Sequence, residues 1–319
     1  ITETTAQTIT IDASAITDSN DIVTITNSAA STTTLFNITG GAGADTLAGS
    51  NAADTISGGA GADIITGNVG ADSLTGGSGA DNFIYATTTA ITSGSAGAST
   101  ASTSAKTDTI TDFVAGTDNI ALTATLSANA QTVDFTDKGD ANSISAGLAL
   151  LSGVAGEYFF NTADSQLVVD LDGNGLIQAT DLLINMTDET GFASSDMDMT
   201  ITTGAGAVTV TTGGGTDTIT TGIGIDTIDG GAGDDALTGA AGADTFTIGS
   251  GDDTITDLGA SNAADVVTLA AGATVVATMT GNWTATSATH NLGSVAADFS
   301  ILASGTEILD LDLTTVTTA

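Results

Sequence analysis

The sequence predicts an all-β protein, built on two parallel rolls of very short strands set within β-solenoid or β-sandwich flanks. Three observations carry this. Residues 40–84 divide into five nine-residue units, GGAGADTLA, GSNAADTIS, GGAGADIIT, GNVGADSLT and GGSGADNFI, and residues 212–256 divide in the same frame into TGGGTDTIT, TGIGIDTID, GGAGDDALT, GAAGADTFT and IGSGDDTIT. The sixth position of every unit is aspartate and the eighth is apolar. The remainder is rich in alternating apolar and hydroxyl residues, with no proline to interrupt a ladder, the period-2 pattern of half-buried strands.

Within a unit, the first six residues read as a turn and the last three as a strand, so two units complete one coil. Glycine at positions 1, 2 and 4 is expected because the turn visits positive φ and must aim carbonyls inward. The apolar eighth residues, Leu47, Ile56, Ile65, Leu74 and Phe83, then Ile219, Ile228, Leu237, Phe246 and Ile255, should line a narrow interior. One buried side chain for nine ordered residues is too little apolar burial to offset the entropy of ordering them. Something besides the core must hold such a roll.

The composition indicates what. The formal charge is −36 and the only bases are Lys106 and Lys138, so nucleic acid and anionic lipid would be repelled. Carboxylates spaced through glycine loops demand cations, and calcium, which takes oxygen ligands, fits. The candidate ligands are Asp45, Asp54, Asp63, Asp72 and Asp81 in the first array and Asp217, Asp226, Asp235, Asp244 and Asp253 in the second. There is no cysteine, which excludes disulfides and thiolate sites. No apolar run is long enough for a membrane span.

The repeat G-G-x-G-x-D-x-U-x, ten times in register, resembles the RTX family of secreted calcium-binding proteins. The resemblance implies calcium between each loop and the loop two units later, which pairs Asp45 with Asp63, Asp54 with Asp72, Asp63 with Asp81, Asp217 with Asp235, Asp226 with Asp244 and Asp235 with Asp253. That is about six roll sites. Departures weaken some loops: Ser50 and Ala52 stand for glycine in one unit, Thr212, Thr221 and Ile248 replace the first glycine of three others, and Asn68 replaces a second glycine.

Taken in order, residues 1–39 read as N-terminal strands or a cap, 40–85 as the first roll, and 86–107, almost wholly Ala, Ser, Thr and Gly, as a linker. Residues 108–196 form a β region. In it DTITDFVAGTDNIAL (108–122) and YFFNTADSQLVVDLDGNGLIQATDLLINM (158–186) resemble the segments that follow the roll in serralysin-type secreted proteases. DLDGNGLIQATD places Asp170, Asp172, Asn174 and Asp181 at positions 1, 3, 5 and 12 of an EF-hand-like loop, a further calcium candidate that brings the expected total to about seven. A short helix is expected near Ile144–Leu151. Residues 197–257 hold the second roll, led in by a unit with Val208 in the aspartate phase, and 258–319 a C-terminal β region whose end reads equally as a secretion signal or an edge strand. The start at Ile1, with neither methionine nor signal peptide, reads as a processed product or a piece of a longer chain.

Catalysis is not expected. His290 is the only histidine, so the zinc motif H-E-x-x-H is absent, and no G-x-S-x-G elbow occurs. Trp283 reads as a partly buried packing residue. The resemblance extends to the RTX surface-layer proteins of Gram-negative bacteria, and implies an extracellular, type I-secreted structural protein that self-assembles in calcium. A homo-oligomer or lattice is the expected partner, with cell-surface polysaccharide a further candidate. An adhesin or biofilm-matrix segment and the folding domain of a larger secreted enzyme are the alternatives.

Overall fold

The computed structural model describes residues 7–26, 32–86, 107–125, 131–171, 181–187, 189–262, 264–285, 290–291, 298–303 and 309–311. It is almost entirely strand, and the chain divides into two compact units, the first drawn from Ile1–Thr89, Gly94–Thr123 and Asp137–Asp196, the second chiefly from Ala124–Thr136 and Met197–Ala319.

In the first unit, successive strands fall alternately into two parallel sheets. One runs Gln7–Asp12, Thr34–Thr39, Thr55–Ala60, Ser73–Ser78 and Asp108–Ile110; the other runs Thr24–Ile25, Thr46–Ala48, Ile64–Thr66, Asn82–Ala86 and Asn119–Thr125. The register follows the eighth position, with Ile38, Ile56, Leu74 and Ile110 in one file and Leu47, Ile65, Phe83 and Ile120 in the other. All eight side chains are buried. Alternate side chains point outward, so each x-U-x segment contributes its apolar eighth residue to this interior, and the files substitute for a broad core.

The coil therefore begins before Gly40 and continues beyond Ile84. The first sheet also continues through Leu182–Met186, Gln166–Val169, Tyr158–Asn161 and Asp137–Ala141, where two antiparallel pairings form the hairpin region. Here the core widens. Phe113 and Phe160 stack on Phe192 with ring centroids 5.8 and 6.4 Å away, while Tyr158 meets Phe192 edge-on at 6.2 Å. Phe113 also lies 6.3 Å from Phe83 of the last nonapeptide, so the aromatic group seats the hairpin on the end of the roll. Among the described residues one α-helix occurs, Ile144–Leu148; the Ser143 hydroxyl caps it by accepting from the Ala146 amide at 3.2 Å.

The second unit repeats the design. One sheet runs Met197–Thr202, Thr218–Thr220, Ala236–Thr238, Asp252–Leu258, Thr274–Met279 and Asp298–Ala303, the other Gln131–Asp134, Val208–Thr211, Thr227–Asp229, Thr245–Ile248, Val266–Leu269 and His290–Asn291. Val133, Val210, Ile228, Phe246 and Val267 form one interior file, and Ile201, Ile219, Leu237, Ile255 and Ala277 the other. Trp283 is fully rather than partly buried, at 1% exposure, because its indole N–H donates to the Asp265 carbonyl at 2.8 Å. Of the 86–107 stretch read as linker, Ala86 ends the strand Asn82–Ala86 and residues 87–106 lie outside the described residues, as do Asp172 and Asn174 of the EF-hand-like loop and residues 312–319 of the C-terminal segment.

Candidate metal centre

The aspartates stand in four ladders. In each, a carboxylate Oδ1 accepts from the backbone N–H one coil earlier: Asp63 from Asp45 at 2.7 Å, Asp81 from Asp63 at 2.9 Å, Asp72 from Asp54 at 2.7 Å, Asp235 from Asp217 at 2.9 Å, Asp253 from Asp235 at 3.0 Å and Asp244 from Asp226 at 2.9 Å. The structure thus brings together all six pairs named from the repeat. The ladders begin on apolar residues in the aspartate phase, since Val23, Phe36, Met199 and Val208 donate to Asp45, Asp54, Asp217 and Asp226. Every one of the ten repeat aspartates is at most 2% exposed.

The ladders extend past the nonapeptides through residues the repeat does not mark. Asp108 accepts from Asp72 at 2.8 Å, Asp118 from Asp81 at 3.0 Å and Asp265 from Asp244 at 3.0 Å. Asp118 and Asp265 close their ladders, for their second oxygens are held by the Val114 amide at 2.9 Å and the Gly259 amide at 2.7 Å. Beside each stands another aspartate. Asp112 takes the amides of Gly76 and Gly77 at 2.9 and 2.8 Å, and Asp257 takes those of Gly239 and Ala240 at 3.0 and 2.6 Å. Both rolls therefore end in the same cap. Its sequence signal is the tetrapeptide Thr-Ile-Thr-Asp, found at 109–112 and again at 254–257, followed a few residues on by a second aspartate.

The expectation that glycine at positions 1, 2 and 4 serves positive φ is corrected in part. Positions 2 and 4 are left-handed together in the units at Gly58, Gly76 and Gly230, with Gly59, Gly61, Gly77, Gly79, Gly231 and Gly233 at φ between 82 and 144°. No first-position glycine has positive φ. There the constraint is space: a Cβ on Gly58 would strike the Asp63 carboxylate and lie 2.6 Å from the Gly76 carbonyl oxygen. Where the first residue is threonine instead, its hydroxyl turns to that neighbouring carbonyl, Thr212 donating to Gly230 O at 2.8 Å and Thr221 to Gly239 O at 3.0 Å. Ser50 uses its hydroxyl on the Thr34 carbonyl at 2.7 Å, and Ile248 is simply buried at the end of its strand. Asn68 takes the left-handed conformation itself, at φ 68°.

The other carboxylate oxygen tests whether this arrangement suits a cation. Oδ2 of Asp63, Asp81, Asp217, Asp226 and Asp253 is buried and accepts no hydrogen bond. Neither array contains a lysine or arginine. Burial, with the neighbouring Asp81 and Asp45, raises Asp63 to about 6; burial also lifts Asp217 to about 6, Asp108 and Asp244 to about 7, and Asp235, crowded by Asp217, Asp253 and Asp229, to about 8. Anionic oxygens buried without donors are costly unless a cation faces them. Among the described residues no three carboxylates or imidazoles close on one point, so an ion here draws most of its ligands from loop carbonyls. A hard dication that accepts carboxylate and carbonyl oxygen in flexible geometry suits this donor set.

Of the EF-hand-like loop, Asp170 and Asp181 are described. Both are buried, and Asp181 Oδ1 accepts from the Leu171 amide at 3.1 Å, so the loop's two ends are held together. His290 lies on a strand beside Thr268 and is not part of either array.

A parallel roll whose turns stack buried aspartates on one another fits a cation-binding repeat. Comparison with known families gives its particular kind: the RTX calcium-binding nonapeptide repeat matches in four copies, at residues 37–65, 49–83, 200–228 and 220–255. Both rolls therefore carry RTX calcium-binding nonapeptide repeats, over residues 37–83 and 200–255. No curated protein sequence matches it.

Bound calcium supplies positive charge and a coordination shell that joins adjacent turns. The residues that would hold it are Asp45, Asp63 and Asp81 on one edge of the first roll and Asp54 and Asp72 on the other, the second oxygens of Asp45 and Asp54 also accepting from the Gly41 and Ser50 amides, and Asp217, Asp235 and Asp253 with Asp226 and Asp244 in the second. Asp63 lies between two neighbours in its ladder, whereas Asp45 has a carboxylate on one side only. Replacing Asp63 with alanine is therefore expected to remove two calcium ions per chain and Asp45→Ala one, as read by equilibrium dialysis; equal losses would refute pairing across 18 residues.

Proposed function

We propose that the protein is an extracellular structural protein, secreted unfolded and hardened by calcium, which self-assembles on or around the cell surface as a layer, filament or sheath. The observation that supports this most is the duplication of a whole roll with its cap. Two calcium-stiffened rods in one chain provide length and rigidity, and neither array contains a histidine or cysteine with which to build a catalytic centre. On this reading the chain is not an enzyme. About seven ions, filling six roll pairs and the EF-hand-like loop, would reduce the formal charge from −36 to roughly −22. Repulsion between copies falls accordingly.

Among the described residues no helix is long and apolar enough to cross a membrane; cell-surface polysaccharide is the surface partner of this reading. Electron microscopy and light scattering of the purified protein are expected to show ordered assemblies in millimolar calcium and none in chelator. A folded monomer at high concentration in calcium would leave the adhesin or folding-domain readings instead.

A further inference from the structure

The two turn edges of the second roll differ in chemistry. Along one edge Asp198, Asp234 and Asp252 form an outer acidic file, with Asp198 accepting from the Thr216 amide and Asp234 from the Asp252 amide, each at 2.8 Å. The other edge is made by the turns at 203–207, 221–225 and 239–243, TGAGA, TGIGI and GAAGA, which hold no charged residue; Asp226 and Asp244 beside them are buried, and the half-buried Asp257 is turned onto the Gly239 and Ala240 amides. These turns stack into one surface. Gly222 N donates to the Thr203 hydroxyl at 3.2 Å, Thr221 Oγ1 to Gly239 O at 3.0 Å and Gly224 N to Ala241 O at 2.9 Å.

From the middle of this edge project Ile223 and Ile225, 68 and 69% exposed, the two most exposed large apolar side chains among the described residues. Nothing in the roll calls for them. They occupy positions 3 and 5 of their unit, where the other nine units carry Ala, Gly, Ser, Asn, Thr, Asp or, once, Val. The turns above and below manage with Ala205, Ala207, Ala241 and Ala243.

We propose that the Ile223 and Ile225 edge is a contact surface for the same edge of a second copy of this chain. Charge selects the occupant. A basic partner would be drawn to the acidic file on the opposite edge, and another copy is repelled by most of a surface carrying −36. Where two uncharged edges meet, each copy keeps its acids away from the other's, and a two-fold arrangement makes one patch serve both sides. Two isoleucines and their alanine neighbours fall short of the ~1,200 Å² of a stable independent interface. The contact is weak alone and gains strength where other contacts already hold copies close.

This rests on the assembly reading above, and the test separates the two. The chain has no cysteine, so Ile225→Cys and, on the acidic edge, Asp252→Cys each give a single reporter thiol. In calcium with a mild oxidant, Ile225→Cys is expected to form disulfide-linked dimers at least tenfold faster than Asp252→Cys. The double variant Ile223→Ala, Ile225→Ala should keep the wild-type circular dichroism and calcium stoichiometry while losing association in sedimentation velocity. If wild type assembles but the two thiols cross-link equally, or the alanine variant assembles as wild type does, the edge assignment fails and the assembly reading stands. If wild type stays monomeric, both fail. Binding of uncharged phosphatidylcholine vesicles by a monomeric protein, abolished in the alanine variant, would overturn the second-copy assignment in favour of lipid.

Discussion

Withdrawing calcium at neutral pH is expected to unfold both rolls, and acidifying the chelated protein is expected to bring β structure back. The sign follows from the buried aspartates. Their folded values, about 6 for Asp63 and Asp217, about 7 for Asp108 and Asp244 and about 8 for Asp235, lie above the ordinary 3.8. Without metal, the folded state binds more protons than the unfolded state between pH 4 and 8, so stability is highest at the acid end and declines as pH rises through this window. With calcium present the slope reverses, because protons then compete with the ion for the same oxygens. Far-ultraviolet circular dichroism against pH, in chelator and in millimolar calcium, should give curves of opposite slope. Parallel curves would show that these carboxylates do not hold the ion.

The second large effect is expected at the cap. Asp257 receives two amides, those of Gly239 and Ala240, and Ala240 sits at φ 59° where most units have glycine. Asp257→Ala strands both donors, one of them on the buried Gly239. At about 1–3 kcal/mol per unsatisfied buried donor, and less for the partly exposed Ala240, the loss should be about 2–4 kcal/mol. Because neither Asp257 oxygen accepts from an aspartate of the ladders, the number of ions bound at saturation should stay unchanged. Denaturant titration at saturating calcium reads the first quantity and dialysis the second; a fall in ion number would make Asp257 a ligand rather than a cap.

The roll and the ten repeat aspartates were legible because one nine-residue period fixes side-chain phase, turn chemistry and interior file together. The reach of the coil was not. Gln7–Asp12 and Thr34–Thr39 share the roll's register without its glycines, since a first coil has no earlier turn to meet and needs no carboxylate in phase; Val23 and Phe36 stand there instead. Asp108, Asp118 and Asp265 escaped notice for the opposite reason. They keep the ladder's geometry after its spacing is lost, Asp108 lying 36 residues and Asp118 37 residues beyond their donors. A period search ends where an insertion enters a coil, while hydrogen-bond pairing continues across it. The role of first-position glycine was misread because a turn's sequence displays its need for unusual dihedrals more plainly than the approach of a side chain from within the same loop.

The direction of the ladder hydrogen bonds makes the two ends of each roll unlike. Each aspartate-phase amide donates to a carboxylate that comes later in the chain, while the amides of Ile64, Ser73 and Asn82 donate to carbonyls of the coil before. Shortening a roll from its start leaves the remaining aspartate-phase amides answered but takes a carbonyl from others, such as the Ile64 amide, which donates to the Asp45 carbonyl at 2.8 Å. Shortening it from its end takes the carboxylate from the aspartate-phase amide of the preceding coil, so the two ends fail through different bonds, a lost carbonyl at the start and a lost carboxylate at the end.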